Sequence, residues 1–125
     1  MRLKETALLC LLPFAFAAGT AGAAPPIALS QLYASYEKAD YSALSMPEYG
    51  QPVRFTAVVL EQNASMADTA LTSATDADGD VEYARLTGED RKLAALEPGT
   101  AFTATCTVGF TSGTDYLSLT DCVVE

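Results

Sequence analysis

Cys106 and Cys122 are the residues whose type and spacing most directly suggest a chemistry, since they lie on the last two predicted strands. Two such thiols form a structural disulfide, act as a redox pair or remain buried and free. A redox pair requires an exposed thiolate with a lowered pKa, usually in a Cys-x-x-Cys motif or beside a cation. Neither feature surrounds these cysteines, so the sequence favours the structural disulfide over the other two interpretations.

The segment DADGD is a candidate metal site, because Asp76, Asp78 and Asp80 occupy alternate positions like the first ligands of a calcium-binding loop. An EF-hand loop beginning at Asp76 needs glycine at its sixth position and a bidentate acid at its twelfth. Val81 and Thr87 occupy these two positions. We therefore predict an acidic turn between two strands and no metal site, with weak surface calcium binding as the alternative.

Catalytic groups are scarce in this sequence. The chain contains no His, which is the commonest general base and metal ligand. Hydroxyl groups are plentiful, but nothing supplies the base that would activate one of them. Carboxylate pairs occur at Glu37 with Asp40 and at Glu89 with Asp90, on predicted helices where solvated charge is the ordinary role. We predict a protein that is not an enzyme and has no cofactor, with a carboxylate-dependent hydrolase-like enzyme as the alternative.

Residues 1–23 have the layout of a secretory signal peptide. Two basic residues precede the apolar stretch ALLCLLPFAFAA, and the small residues GTAGAA follow it. Cys10 suggests a lipoprotein, but Leu9 precedes it where a small residue is needed. We predict a cleaved signal and an exported, periplasmic or secreted protein. The oxidising compartment that this implies favours a bridge between Cys106 and Cys122.

Removal of this leader leaves 102 residues, 24–125, enough for a single domain with one modest core. This part has five basic residues against fifteen acidic ones. Such a charge repels phosphate backbones, which argues against a nucleic-acid partner. A protein or an envelope component, including a basic protein, fits the acidic surface better. The mature chain is predicted to have no membrane span, since no apolar run reaches about 20 residues.

The order of elements follows from changes in hydrophobic period along the chain. Ser30 is the predicted N-cap of a helix over about 30–45, where apolar residues recur at helical spacing. Period-two strands follow at PVRFTAVVLEQ, ADTALTSAT and VEYARL, then the short helix GEDRKLAAL, then the strands TAFTATCTVGF and DYLSLTDCVV. The sequence therefore predicts a mainly β (α+β) fold with an N-terminal helix and a short helix between strands three and four.

This order resembles the OB-fold, a five-stranded Greek-key barrel with a helix between its third and fourth strands. The chain more closely resembles the tRNA_anti-like family of small exported bacterial proteins, on the segments LYASYEKADYSAL, YGQPVRFTAVV, LAALEPGTAFTATCTVGF and YLSLTDCVVE. The resemblance implies a secreted or periplasmic OB barrel and brings no catalytic motif. Ala57 stands near a position where many members have Gly, so a sharp bend of the first strand is not implied. The apolar stripe of the first helix, which includes Leu32, Tyr33, Tyr36 and Ala43, predicts packing on the chain's own barrel.

The predicted barrel also places the two cysteines. Strict alternation along the fifth strand would bury the Asp121 carboxylate, which costs more than a local kink. A one-residue bulge near Thr120 and Asp121 would instead return Cys122 to the inside, opposite Cys106. The predicted inward residues are Phe102, Ala104, Cys106, Val108 and Phe110 on the fourth strand and Leu117 and Leu119 on the fifth.

A ligand face is predicted from the usual behaviour of OB barrels, which present strands two and three and the loops after strands one and four. Here those elements carry six ligand-binding candidates: Thr72, Thr75, Glu82, Tyr83, Arg85 and Tyr116. They lack the interleaved aromatic and basic residues that stack on and neutralise a nucleic-acid strand. We predict a binding or interaction module for a protein or envelope component, with a nucleic-acid-binding OB-fold as a further alternative.

Overall fold

The computed structural model describes residues 25–64, 70–77 and 79–125. The predicted leader, residues 1–23, and Asp78 of the acidic turn lie outside these ranges. The helices are α1 (Leu29–Lys38) and α2 (Arg91–Ala95), and the strands are β1 (Ile27–Ala28), β2 (Pro52–Ala64), β3 (Ala70–Thr75), β4 (Ala84–Thr87), β5 (Ala101–Val108) and β6 (Leu117–Val124). Within the described residues, no helix is long and apolar enough to cross a membrane.

Five strands close into a barrel in the order β2-β3-β4-β6-β5-β2. β2 is 13 residues long, so it pairs with β5 along its first part and with β3 along its second. β4 and β6 pair in parallel, and the other barrel pairings are antiparallel. The short strand β1 adds a parallel pairing to β2, with Ile27 opposite Phe55. The predicted mainly β fold, with a five-stranded barrel and few helices, is confirmed.

The core follows from the alternation of side chains along each strand. The inward residues predicted on β5 and β6 are buried, with the exception of Phe110, which is 64 % exposed. The prediction for Phe110 is wrong because β5 ends at Val108 and the chain turns. Beyond it, the Gly109 backbone N–H donates to the Ser118 oxygen at 3.0 Å, and buried Thr111 accepts a hydrogen bond from the Ser118 N–H.

A bulge in β6 brings the two cysteines together. Thr105 pairs with Val123 and Thr107 with Thr120, so Cys106 alone lies opposite both Asp121 and Cys122. The extra residue, Asp121, adopts a φ of 52° and is exposed, as expected where a bulge displaces one residue from the ladder. The Sγ atoms of Cys106 and Cys122 lie 2.11 Å apart, at disulfide-bonding distance.

The first helix is shorter than the predicted segment 30–45. It ends at Lys38, where the Tyr41 N–H donates to the Tyr36 oxygen and the Asp40 N–H donates to the Glu37 oxygen, both at 3.0 Å. These two bonds, with Asp40 at a φ of 62°, form a Schellman motif, and the Tyr36 and Tyr41 rings make the contact that often accompanies it. After this stop, the chain forms only a 3₁₀ turn at Ala43–Ser45.

The start of α1 also differs from its prediction. Ala28 is the N-cap residue and provides no side-chain hydrogen bond, while the Ser30 hydroxyl donates to Asp76 instead. The N-cap residue therefore provides no cap of its own, and Asp76, which directly follows β3, accepts hydrogen bonds from the Ser30 hydroxyl and from the Ser30 backbone at this end of the helix. Leu29, Leu32 and Tyr36 of this helix are buried in the same hydrophobic core as the inward residues of the barrel.

Candidate binding site

Three neighbouring strands carry the polar cluster on which the site is built. Ser73 on β3 pairs with Arg85 on β4, which pairs with Ser118 on β6. Their chain neighbours, such as Ala74 and Leu86, are buried in the core. Because successive side chains of a strand point to opposite faces, Ser73, Arg85 and Ser118 belong to the outer face of the barrel.

Arg85 lies at the centre of this cluster. Its Nε and Nη2 atoms donate to the two carboxylate oxygens of Glu82 at 3.0 and 3.1 Å, and Ser73 Oγ donates to the same carboxylate. The guanidinium lies over the Tyr116 ring, with Cζ 3.8 Å from the ring centroid. A bidentate ion pair on an aromatic face fixes both the position and the orientation of a guanidinium. Arg85 therefore occupies an aromatic and carboxylate site within its own protein.

The ionisation of this pair follows from its contacts. Burial alone would raise the pKa of Glu82, but the hydrogen bonds from Arg85 and Ser73 and the charge of Arg85 outweigh it, so the pKa is lowered. The pKa of Arg85 is raised, chiefly by its hydrogen bond to Glu82. Both groups are therefore charged at neutral pH, and together they form a pair with no net charge.

Tyrosines and carboxylates form a second surface beside this cluster. The Tyr33 and Tyr83 rings lie 5.0 Å apart, and Tyr33 Oη donates to the Asp115 backbone oxygen at 2.8 Å. Burial, followed by the charges of Tyr41, Glu37 and Asp115, raises the pKa of Tyr33. The pKa of Tyr41 is raised first of all by the charge of Glu37. We call Tyr33, Tyr41, Tyr83, Glu37 and Asp115 the tyrosine–carboxylate surface.

A polar pocket adjoins this surface at Tyr83. It is open, has a volume of about 270 Å³ and is lined by Ser30, Asp76, Ala77, Gly79 and Tyr83. The hydrogen bond from Ser30 is the main cause that holds the pKa of Asp76 below its ordinary value, and the Ala77 N–H adds a second bond at 2.9 Å. The Asp76 carboxylate is therefore charged at neutral pH. We call this recess the Asp76 pocket.

The described ranges contain no group of three His, Cys, Asp or Glu side chains arranged to hold a metal ion. The Asp76 pocket has one carboxylate among its described lining residues. Asp80 lies in the same turn and is exposed. Calcium usually takes six to eight oxygen ligands, several of them carboxylates, so the described part of this turn offers too few.

The six ligand residues predicted from the sequence fall into two groups. Thr72 and Thr75 are buried, and Thr72 Oγ1 donates to Gln62 Oε1 at 2.7 Å, so these hydroxyls do not face an external partner directly. The other four are half-buried on or beside the outer face: Glu82, Tyr83, Arg85 and Tyr116. The structure joins Glu82, Arg85 and Tyr116 in one contact cluster and places Tyr83 against α1.

Several residues of the site were not among those predicted. Tyr33 was assigned to the apolar stripe of the first helix, but it is only half-buried and its hydroxyl bonds to the segment before β6. A usable signal was present, since Glu37 follows Tyr33 by four positions and therefore lies on the same side of the helix. Asp115 and Ser30 had no such signal, because long-range folding alone brings them to the site.

Comparison with protein-family models, with curated proteins and with solved structures finds no match for this chain. The resemblance to the tRNA_anti-like family stays a prediction from the sequence.

Proposed function

We propose that this chain is an exported OB-fold binding module that recognises a basic segment of a protein partner through the tyrosine–carboxylate surface. The observation that carries the proposal is the grouping of three tyrosines with two acidic residues: the Tyr33 and Tyr83 rings lie 5.0 Å apart, Tyr33 Oη donates to the Asp115 backbone oxygen at 2.8 Å, and Tyr41 Oη donates to the Glu37 carboxylate at 3.4 Å. Lys and Arg side chains bind to aromatic faces, and adjacent carboxylates add charge-assisted hydrogen bonds. The contact of Arg85 with Tyr116 and Glu82 is an example of this recognition within the same protein.

The strand order supports the assignment to the OB-fold. The long strand β2 is shared by two partners, β4 and β6 pair in parallel, and α2 lies in sequence between the third and fourth barrel strands. OB-folds bind their partners on the second and third barrel strands, which are β3 and β4 here. Ser73 and Arg85 lie on these two strands, and Glu82 lies two residues before the second of them.

The distribution of charge supports a basic partner and argues against a nucleic acid. The part of the chain after the leader has five basic residues against fifteen acidic ones. Two of the five bind carboxylates of the same chain, Arg54 with Glu125 at 2.9 Å and Arg85 with Glu82 at 3.0 Å. A surface of this sign attracts a basic protein over a distance and increases its association rate.

Export is supported by the cysteine pair. Cys106 and Cys122 lie at disulfide-bonding distance, and disulfides persist mainly in oxidising compartments outside the cytosol.

The test uses a defined basic probe, an octalysine peptide, titrated by calorimetry into the purified protein. Replacing two carboxylates in a Glu37→Gln/Asp115→Asn variant should weaken binding about two- to thirtyfold, because each exposed ion pair contributes roughly 0.2–1 kcal/mol. Tyr33→Leu should weaken binding as well, through loss of the aromatic face. Raising the ionic strength should reduce the affinity of the parent more than that of the double variant.

The matched control is Glu97→Gln/Asp121→Asn, which removes the same charge at exposed positions outside the tyrosine–carboxylate surface. Its affinity for octalysine should stay within about twofold of the parent, as expected for distant exposed charges. Equal losses in the two double variants would mean that binding follows total charge and would overturn the assignment of the surface.

A further inference from the structure

Four large apolar side chains are exposed around the end of β5. Phe110 is 64 % exposed and Leu44 is 58 % exposed, and Tyr41 and Tyr49 are exposed to a smaller extent. Single exposed apolar residues are ordinary on a protein surface, but a group of them marks a site of interaction. The position of these four side chains relative to one another therefore decides whether they form such a site.

A backbone pairing places Leu44 close to Phe110. The Ala43 N–H donates to the Thr111 oxygen at 2.8 Å, next to an antiparallel bridge between the same two segments. In an antiparallel register, the residue after Ala43 lies near the residue before Thr111. These two residues are Leu44 and Phe110, the most exposed of the four.

A second pairing adds Tyr49 to the group. Tyr49 forms a parallel bridge with Val108, which ends β5 two positions before Phe110. We call Leu44, Tyr49 and Phe110 the Phe110 patch. Tyr41 lies three positions before Leu44 and belongs to the tyrosine–carboxylate surface, so the patch adjoins that surface.

The charge around the patch distinguishes between its possible occupants. The segments that form it, residues 36–50 and 108–116, contain a single basic residue, Lys38. The same segments contain four acidic residues: Glu37, Asp40, Glu48 and Asp115. A second copy of this chain would bring two acidic rims together, and an anionic membrane would also be repelled. A basic segment of a protein meets the same rim with the opposite charge.

We infer that the partner's basic segment carries a large aromatic side chain that packs on the Phe110 patch, while its basic side chains bind the adjoining tyrosine–carboxylate surface. The basic character of this segment rests on the proposed function. Exposed ion pairs contribute little affinity, whereas an aromatic anchor that is buried on binding contributes much more. The patch therefore supplies affinity, and the acidic rim selects a partner of the correct charge.

The experiment compares two peptides of equal charge by calorimetry with the purified protein. One is octalysine with its fourth residue replaced by phenylalanine, and the other has alanine at that position. The protein should bind the phenylalanine peptide about three- to tenfold more tightly, since an open patch buries only part of the added ring. Equal affinities for the two peptides would overturn the inference.

Two variants assign the preference to the patch. Phe110→Ser and Leu44→Ser should each lose most of the preference for phenylalanine, and their Tm should stay near that of the parent because the replaced side chains are largely exposed. Val123→Ser is the matched control, because Val123 is 59 % exposed on β6, outside the patch, and it should keep the full preference. A preference that survives in both patch variants would contradict the role given to the patch.

Sedimentation tests the other occupants. The parent should be monomeric at the concentrations used for calorimetry and should not bind phosphatidylcholine vesicles. A parent dimer that Phe110→Ser converts to a monomer would mean that a second copy covers the patch. Vesicle binding that is lost in Phe110→Ser would assign the patch to a membrane. Either result would overturn the inference.

Two outcomes separate this inference from the proposed function. Octalysine binding that depends on Glu37 and Asp115, without any preference for the phenylalanine peptide, overturns the aromatic anchor and leaves the proposed function intact. A preference that depends on Phe110, with affinity for both peptides unaffected by Glu37→Gln/Asp115→Asn, overturns the tyrosine–carboxylate surface and leaves the anchor intact.

Discussion

The Asp90 carboxylate joins the short helix α2 to the last strand, because it accepts a hydrogen bond from the Val124 backbone N–H at 2.7 Å. Its other oxygen accepts from the Lys92 N–H at 3.0 Å and caps the helix. One side chain therefore satisfies donors on two elements. Asp90→Ala should lower Tm by several degrees, since loss of an N-cap acceptor destabilises a helix and Val124 loses its partner as well. Glu89→Gln, an exposed neighbour, should melt with the parent.

The same carboxylate predicts a dependence of stability on pH. The hydrogen bonds from the Val124 and Lys92 N–H groups lower the pKa of Asp90 below its value in the unfolded chain, which is about 3.9. Its stabilising contribution is therefore complete above that unfolded value and is lost as the pH falls through the lower, folded value. The difference in Tm between the parent and Asp90→Asn should shrink between pH 5 and the most acidic pH tolerated. A difference that stays constant over this range would contradict the assignment.

The pair Cys106 and Cys122 predicts how redox conditions affect stability. In the denatured protein without its leader, thiol titration should find no free thiol before reduction and two after it. A bridge across this sequence separation of 16 residues contributes about 3 kcal/mol in the chain-entropy account. A Cys106→Ala/Cys122→Ala variant should therefore melt well below the parent in oxidising buffer. In reductant, the two proteins should differ only by the lost sulfur packing, and an equal gap in both buffers would argue against the bridge.

The fold could be predicted where local pattern and tertiary packing agree. Alternation along β5 placed Phe102, Ala104 and Val108 in the core, and the cost of burying Asp121 predicted the bulge in β6. The apolar pattern predicted a wrong boundary where the first helix ends. Apolar spacing continued past the end of α1, but positive φ values at Asp40 and at Tyr41 stop the helix. Local composition does not encode such a stop when no glycine or proline marks it.

The site was less predictable than the fold, because its parts come from distant segments. Glu82, Arg85 and Tyr116 were expected on the ligand face from their positions alone, but their mutual contacts depend on the pairing of β4 with β6. The contact of α1 with Tyr83 depends on where the helix packs, which hydrophobic period does not specify. A tyrosine in an apolar stripe fits both the core and a half-buried surface, so residue type could not distinguish these roles.

Tyr36 is expected to stabilise the packing of α1 on the barrel. Its ring is fully buried and its hydroxyl donates to the Thr114 backbone oxygen at 3.0 Å. Tyr36→Phe keeps the ring and removes this hydrogen bond, which should lower the free energy of unfolding by about 0.5–1.5 kcal/mol. Because each kcal/mol corresponds to about 4–8 °C in a domain of this size, Tm should fall by several degrees. Tyr49→Phe, at an exposed tyrosine, is the control and should leave Tm unchanged. Equal behaviour of the two variants would show that the hydroxyl of Tyr36 does not hold the helix.

Gly88 lies between β4 and α2, and its surroundings indicate that it packs tightly against the backbone of Cys122. A Cβ built on Gly88 would lie 2.9 Å from both the backbone nitrogen and the backbone oxygen of Cys122. The φ of Gly88 is not in the left-handed region, so space and not conformation requires the glycine. Gly88→Ala should therefore lower stability by about 1–3 kcal/mol, as overpacking against rigid neighbours does. Gly109→Ala is the matched control, because its Cβ would meet first a side-chain methyl of Thr120, at 3.1 Å.

The effects on stability of Gly88→Ala and of removing the Cys106–Cys122 bridge should be coupled, because the bridge restrains the Cys122 backbone, which Gly88 contacts. In the Cys106→Ala/Cys122→Ala background, β6 is free to move away from an added methyl group. Gly88→Ala should then cost less than it does in the bridged protein, and a double-mutant cycle on Tm measures the difference. The Gly109→Ala penalty should be the same in both backgrounds, since its nearest contact is a side chain. A Gly88→Ala penalty that is unaffected by the bridge would mean that β6 is held in place by its strand pairing alone.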